Sequence, residues 1–132
     1  MKKSFLFVCI ENSNRSQMAQ AFDKVWGSEE VEAYSAGSRP SGKINPKAIA
    51  AMAELGYDLS THDSKSLDEI PAIQFDYVVT MGCGDACPIY PGKRYEDWDL
   101  ADPAELDAAG VVSVRNDIEA RIRTLLTELK VI

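Results

Sequence analysis

The sequence predicts an α/β domain built on a parallel sheet, and three observations predict it. Short apolar runs such as Phe5-Leu6-Phe7-Val8 and Tyr77-Val78-Val79 have the length of buried strands. Between them, apolar residues recur at helical spacing. Turn formers punctuate the chain, giving the order strand, helix, strand, helix, strand, short strand, helix.

Each element has a local reason. Residues 4–9 form the first strand. Residues 15–26 form a helix with Met18, Phe22 and Val25 on one face, stopped by Gly27. Val31 to Ser35 reads as the second strand. Asn45-Pro46 is a cap followed by proline at the first helical position. Ile49, Met52 and Ala53 line the helix up to Gly56. Phe75 to Met81 is the third strand, and residues 93–96 are a short fourth. Ile118, Ile122, Leu125, Leu126 and Leu129 make the core-facing stripe of the last helix.

A chain of 132 residues fits one domain, residues 1–132, with one sizeable core. It is 45% hydrophobic and 27% charged, as in soluble globular proteins. The formal net charge of −7 argues against nucleic-acid binding. No apolar run is long enough to span a membrane. Met1-Lys2-Lys3 and the apolar run after it stop at Glu11 with no small-residue cleavage site, so the expected location is the cytoplasm. An odd cysteine count, three, points to reactive or redox thiols rather than a disulfide framework.

The segment Cys9-Ile10-Glu11-Asn12-Ser13-Asn14-Arg15-Ser16 carries the chemistry. A cysteine ends a strand, five residues curl, and an arginine opens a helix. Such a loop points backbone N–H groups at one small anion, here from Ile10 through Ser16. Arg15 adds a planar fork of donors for a tetrahedral oxyanion. The same positive surroundings favour the Cys9 thiolate, and the Ser16 hydroxyl can donate to it. Because the whole chain is acidic, anion binding has to come from these local donors.

Asp102-Pro103 lies in the acidic stretch Asp97-Trp98-Asp99-Leu100-Ala101-Asp102. It can be an ordinary turn, or a proton donor to a leaving oxygen if it sits near Cys9. Cys83 and Cys87 follow the third strand, where a parallel sheet binds its ligands. They read either as buried thiols or as a redox pair on a loop that rearranges. With His62 as the lone histidine and no Cys-x-x-Cys pair, no metal site is expected. His62 itself reads as structural or solvated.

On these residues the chain resembles the low-molecular-weight protein tyrosine phosphatase fold family, in its thiol-dependent arsenate reductase branch. The match rests on Phe7-Val8-Cys9, Asn12-Ser13, Arg15-Ser16-Gln17-Met18-Ala19, Tyr34-Ser35-Ala36-Gly37, Asn45-Pro46-Lys47-Ala48, Val79-Thr80-Met81, Cys87-Pro88, Trp98 and Asp102-Pro103-Ala104. Gln17, where the phosphatases usually carry proline, and Ala104, where they usually carry an aromatic residue, favour the reductase branch. The resemblance implies a three-layer α/β/α fold with a four-stranded parallel sheet and helices on both faces. It implies that Cys9 attacks As(V), Arg15 and the loop amides hold the oxyanion, and Asp102 is the general acid. Cys83 and Cys87 would complete a disulfide cascade, in either order of attack, with thioredoxin or glutaredoxin as external reductant and no bound cofactor. Phosphate and sulfate would compete with arsenate.

Some positions depart from the family pattern. Glu11 stands where the loop usually has glycine, so its carboxylate has to point away from the anion. Asn14 replaces the common cysteine. Many thioredoxin-coupled members bind potassium behind the loop through an asparagine and two carboxylates. Here Asn12 is kept, but Gln20 and Lys65 occupy the carboxylate positions. Lys65 is therefore expected to supply the cation's charge, with Asn12, Ser16 and Ser35 supporting the loop. Two other readings use the same residues: a phosphatase in which water completes the second step, and a non-catalytic oxyanion or redox sensor.

Overall fold

A computed structural model describes residues 2–81, 91–101 and 103–132. Its elements run β1 (Lys3–Cys9), α1 (Arg15–Gly27), β2 (Val31–Gly37), α2 (Pro46–Ala53), β3 (Phe75–Thr80), β4 (Gly92–Asp97) and α3 (Ala108–Glu128). The four strands form one parallel sheet in the order β2-β1-β3-β4. The order reverses at β1, which is flanked by β2 and β3. A crevice opens beyond the carboxyl end of a strand at such a switch point, and Cys9 ends β1 there.

Alternation along β1 divides the core. Phe5, Phe7 and Cys9 face Met18 and Phe22 of α1, Met52 of α2, and Ile118, Ile122 and Leu126 of α3. Leu6 and Val8 face the other way, with Ile70, Phe75 and Val78. The three α-helices of the described residues thus share one face of the sheet. On the opposite face, among the described residues, the third layer is the short 3-10 helix Leu67–Glu69, closed by a Ser66/Glu69 capping box. Each fully buried Leu, Ile or Phe contributes about 1.5–3 kcal/mol relative to an exposed one. Arg115, buried in α3, donates to the Ala51 carbonyl at 2.8 Å, which ties α3 to the end of α2.

The strand and helix order follows the sequence expectation, with differences at the edges. β2 runs on to Gly37, where it pairs with Cys9, and β3 ends at Thr80. Val25 is exposed, so the apolar face of α1 continues through the partly buried Trp26. In α2 the buried positions are Ala48, Ala51 and Met52, while Ala53 faces solvent. The helix stops three residues earlier than Gly56, whose φ of 80° closes the turn that follows. α3 starts well before its apolar stripe because Asp107 caps it, accepting from Gly110 N at 2.8 Å.

Asp23 of α1 is fully buried, and its carboxyl oxygens have no partner among the described residues. Burial pushes this carboxyl up to about 8 from an ordinary value of 3.8. Between those values the folded chain holds a proton that the unfolded chain has lost. Stability therefore falls as pH rises through this window and levels off above it. Asp23→Asn should flatten that decline, so its urea midpoint should change less than that of the natural chain between about pH 5 and about pH 8. An unaltered decline would contradict the assignment.

Candidate active site

The loop after β1 is shaped by what its carbonyl groups touch. Ile10 O accepts from Arg39 N at 2.8 Å and Glu11 O from Ser41 N at 3.1 Å and Ser64 Oγ at 2.9 Å. Asn12 O accepts from Gln17 Nε2 at 3.0 Å, Ser13 O from Asn45 N at 2.9 Å and Asn14 O from Met18 N at 3.0 Å. With five successive carbonyls held outward, the peptide N–H groups are left to the inner side. There Cys9, Ile10, Glu11, Ser13, Asn14 and Arg15 line a cavity of about 110 Å³. Oriented N–H groups at the start of α1 favour an anion in it.

Asn12 makes the curl possible. Its φ of 50° lies in the left-handed region, which asparagine tolerates better than most residues. The side chain is fully buried and held on both ends. Oδ1 accepts from Gln17 Nε2 at 2.8 Å and from Lys65 N at 2.9 Å, and Nδ2 donates to Ser16 Oγ at 2.8 Å. Gly37, beside Cys9 in the sheet, lets the loop pass close. A Cβ there would lie 2.5 Å from Ile10 O and 2.9 Å from Asn12 N.

Ser16 Oγ lies 2.8 Å from Cys9 Sγ. The serine already accepts from the Asn12 amide, which can only donate, so its own proton is free for the sulfur. That arrangement directs the hydroxyl hydrogen to the Cys9 sulfur, which belongs to the cavity lining. Arg15 is buried, and its Nη1 donates to Leu100 O at 3.1 Å, while Nε has no partner among the described residues. Glu11 is exposed.

Lys65 sits behind the loop. Its backbone N–H, not its ammonium, reaches Asn12. Nζ is 2.9 Å from Asp63 O and 3.5 Å from Ser35 Oγ. Ser35 Oγ in turn donates to Gln20 Oε1 at 2.6 Å. Burial pulls the Lys65 ammonium below its ordinary range. Cys83, Cys87 and Asp102 lie outside the described residues. Of the described residues before them in sequence, Met81 N donates to Val8 O at 3.0 Å, next to Cys9, and Leu100 O accepts from Arg15.

The supporting role of Gln17 was missed in the sequence, whereas His62, read there as structural or solvated, is structural. Gln17 is fully buried and its amide N also reaches Asp63 O at 2.9 Å. Since that nitrogen donates, Gln17 Oε1 accepts from His62 Nδ1 at 2.9 Å, and His62 Nε2 accepts from Tyr57 OH at 2.6 Å. Burial, then Lys24 and Lys65, lowers His62 to about 4, so the ring is neutral near pH 7. The sequence carries no signal of this contact, because residues 17 and 62 lie 45 positions apart and meet only in the fold.

Known proteins match this architecture. The family model described as low molecular weight phosphotyrosine protein phosphatase covers residues 4–131. Arsenate reductase 2 of Staphylococcus epidermidis is 41% identical over 130 residues, 96% of this chain and 98% of that protein. The arsenate reductase of Staphylococcus xylosus is 42% identical over 125 residues, 92% of this chain and 94% of that protein. Among solved structures, an arsenate reductase in the phosphate binding state superposes with a TM-score of 0.85 at 34% identity, covering 96% of this chain and 98% of that one. A thioredoxin-dependent arsenate reductase of Corynebacterium glutamicum gives 0.78 at 36% identity, covering 98% of this chain and 62% of that one.

The Ser16 hydroxyl can be tested apart from any turnover. Ser16→Ala removes a charge-assisted hydrogen bond of about 1.5–3 kcal/mol, so iodoacetamide labelling of Cys9 at neutral pH should slow about tenfold. The labelled peptide is followed by mass spectrometry; an unchanged rate would mean that the hydroxyl does not serve the sulfur.

Proposed function

The chain belongs to the low molecular weight phosphotyrosine protein phosphatase family, and on that premise we propose that it is an arsenate reductase. The observation that carries this reading is the Cys9 sulfur, held 2.8 Å from a serine hydroxyl whose proton is free, in the lining of an anion-sized cavity. Relatives of about the same length include arsenate reductases.

The Cys9 thiolate attacks arsenic, forming an S–As bond, while Arg15 and the loop amides hold the oxyanion charge. Asp102 gives its proton to the departing hydroxide, which leaves as water. A second thiolate then attacks Cys9 Sγ. The S–As electron pair passes to arsenic, which leaves as arsenite, and a disulfide to Cys9 forms. Cys83 is the attacker, and Cys87 then displaces Cys9 to leave Cys83–Cys87; the reverse order balances equally. An external thiol reductant, thioredoxin in this reading, restores both thiols. No cofactor is bound, and phosphate and sulfate compete for the cavity. The reducing cytoplasm is the compartment that keeps such thiols ready. The Met81–Val8 and Arg15–Leu100 hydrogen bonds support this assignment, since they bring the chain flanking Cys83 and Asp102 to the mouth of the loop.

Reduced protein mixed with arsenate and no other reductant should yield about one arsenite per chain and a Cys83–Cys87 disulfide. Cys83→Ser should abolish turnover. Phosphate release from a phosphoester by Cys9, without arsenite, would move the assignment to a phosphatase, which Cys83→Ser spares. Neither product, even with glutaredoxin or a small thiol added, would leave an oxyanion or redox sensor.

Lys65 takes the electrostatic place of a metal cation behind the loop, through Ser35 Oγ and Asp63 O. The rate of arsenite formation should accordingly be the same in potassium and sodium chloride at equal ionic strength. A saturable rise specific to potassium would sink this role.

A further inference from the structure

Two residues that line the anion cavity, Asn14 and Arg15, carry buried polar side-chain atoms without a partner. Among the described residues such atoms are Asn14 Nδ2, Asn14 Oδ1 and Arg15 Nε, and, away from the cavity on α1, the Asp23 carboxyl oxygens. Folded proteins rarely leave such atoms unmet, and a residue that does so beside a cavity calls for a ligand. Asn14 also forgoes a local alternative. It occupies the position before α1 where an asparagine ordinarily caps the helix, yet its side chain accepts no helix N–H. Its backbone, at φ −137° and ψ −92°, is not in the usual extended capping conformation. The residue is 5% exposed, so water does not satisfy the carboxamide from outside.

We propose that Asn14 contacts the bound oxyanion through both ends of its carboxamide and selects an anion that carries a proton. Nδ2 donates to an oxyanion oxygen, as the loop amides and Arg15 do. Oδ1 is different: it can only accept, so it is satisfied by an anion hydroxyl. Arsenate and phosphate both present a hydroxyl beside bare oxygens near neutral pH. Sulfate presents none, and its oxygens would meet the Oδ1 lone pairs. Ser13 Oγ can take either role, and the exposed Glu11 is free to turn to solvent. Asn14 is thus the buried acceptor that discriminates. This inference deepens the reductase reading and rests on it for the identity of the substrate.

The test is the ratio of phosphate to sulfate affinity, measured by NMR titration of the reduced full-length chain. The natural chain should prefer phosphate. Asn14→Ala should lower the preference about tenfold, the worth of one hydrogen bond to a charged group, by weakening phosphate and leaving sulfate unchanged or tighter. Asn14→Asp keeps the shape and offers acceptors only, so it should raise the preference; it decides the matter if the alanine variant does not fold. A ratio unmoved by either substitution overturns the proposal. Arsenite formation by the natural chain is assayed alongside. Arsenite with an unmoved ratio sinks this inference alone, whereas an Asn14-dependent ratio without arsenite sinks the reductase reading and leaves the anion selectivity standing.

Discussion

The left-handed turn at Asn12 is the constraint from which the rest of the site follows. A residue with a side chain is held at φ 50°, a conformation that has to be stabilised by its surroundings. Three residues on two segments do so: Ser16 and Gln17 from the first turn of α1, and the Lys65 backbone from the opposite layer. The same contacts spend the Ser16 acceptor on Asn12 and so release its proton for Cys9. Loop shape and sulfur chemistry are therefore one hydrogen-bond system rather than two.

This coupling explains why polar groups are buried so densely beneath the sheet end. Asn12, Ser16, Gln17 and Ser35 are each fully buried. Buried amides and hydroxyls are tolerable only when paired, and these are paired with one another and with loop carbonyls. His62 extends the chain of pairs to Tyr57 and stays neutral, so it can fix the Gln17 amide without adding charge beneath an anion site. The acidic whole-chain charge makes such local organisation necessary, because distant charges repel the ligand.

The unmet groups contrast with this pairing. Asn14 and Arg15 Nε stand at the cavity with hydrogen-bonding capacity unused, one turn away from groups whose capacity is filled. Among the described residues, Asp23 on α1 apart, buried polar side chains lack partners only in residues that line the cavity, and a scaffold paired in this way is preorganised. It need not rearrange to bind, and its donors are already directed at the charge.

The sequence by itself determined the order of the elements, the parallel sheet and the strand-loop-helix frame of Cys9 and Arg15. These depend on local periodicity and on residues within a few positions of one another, which a linear reading captures. The departures from that reading came where distant segments decide burial. Val25 is exposed and Trp26 packs, because the line along which α1 meets α3 was not visible in α1 alone. The extension of β2 to Gly37 was decided by its pairing with Cys9. In the site, residue types marked the anion loop, but only the tertiary structure brought Gln17 to His62, Asn12 to Lys65 and Arg15 to Leu100. Those contacts join residues 45 to 85 positions apart, and no local energetic preference encodes them. They exist because burying the two faces of one sheet brings those segments within hydrogen-bond reach, where an unpaired polar group would cost more than a paired one.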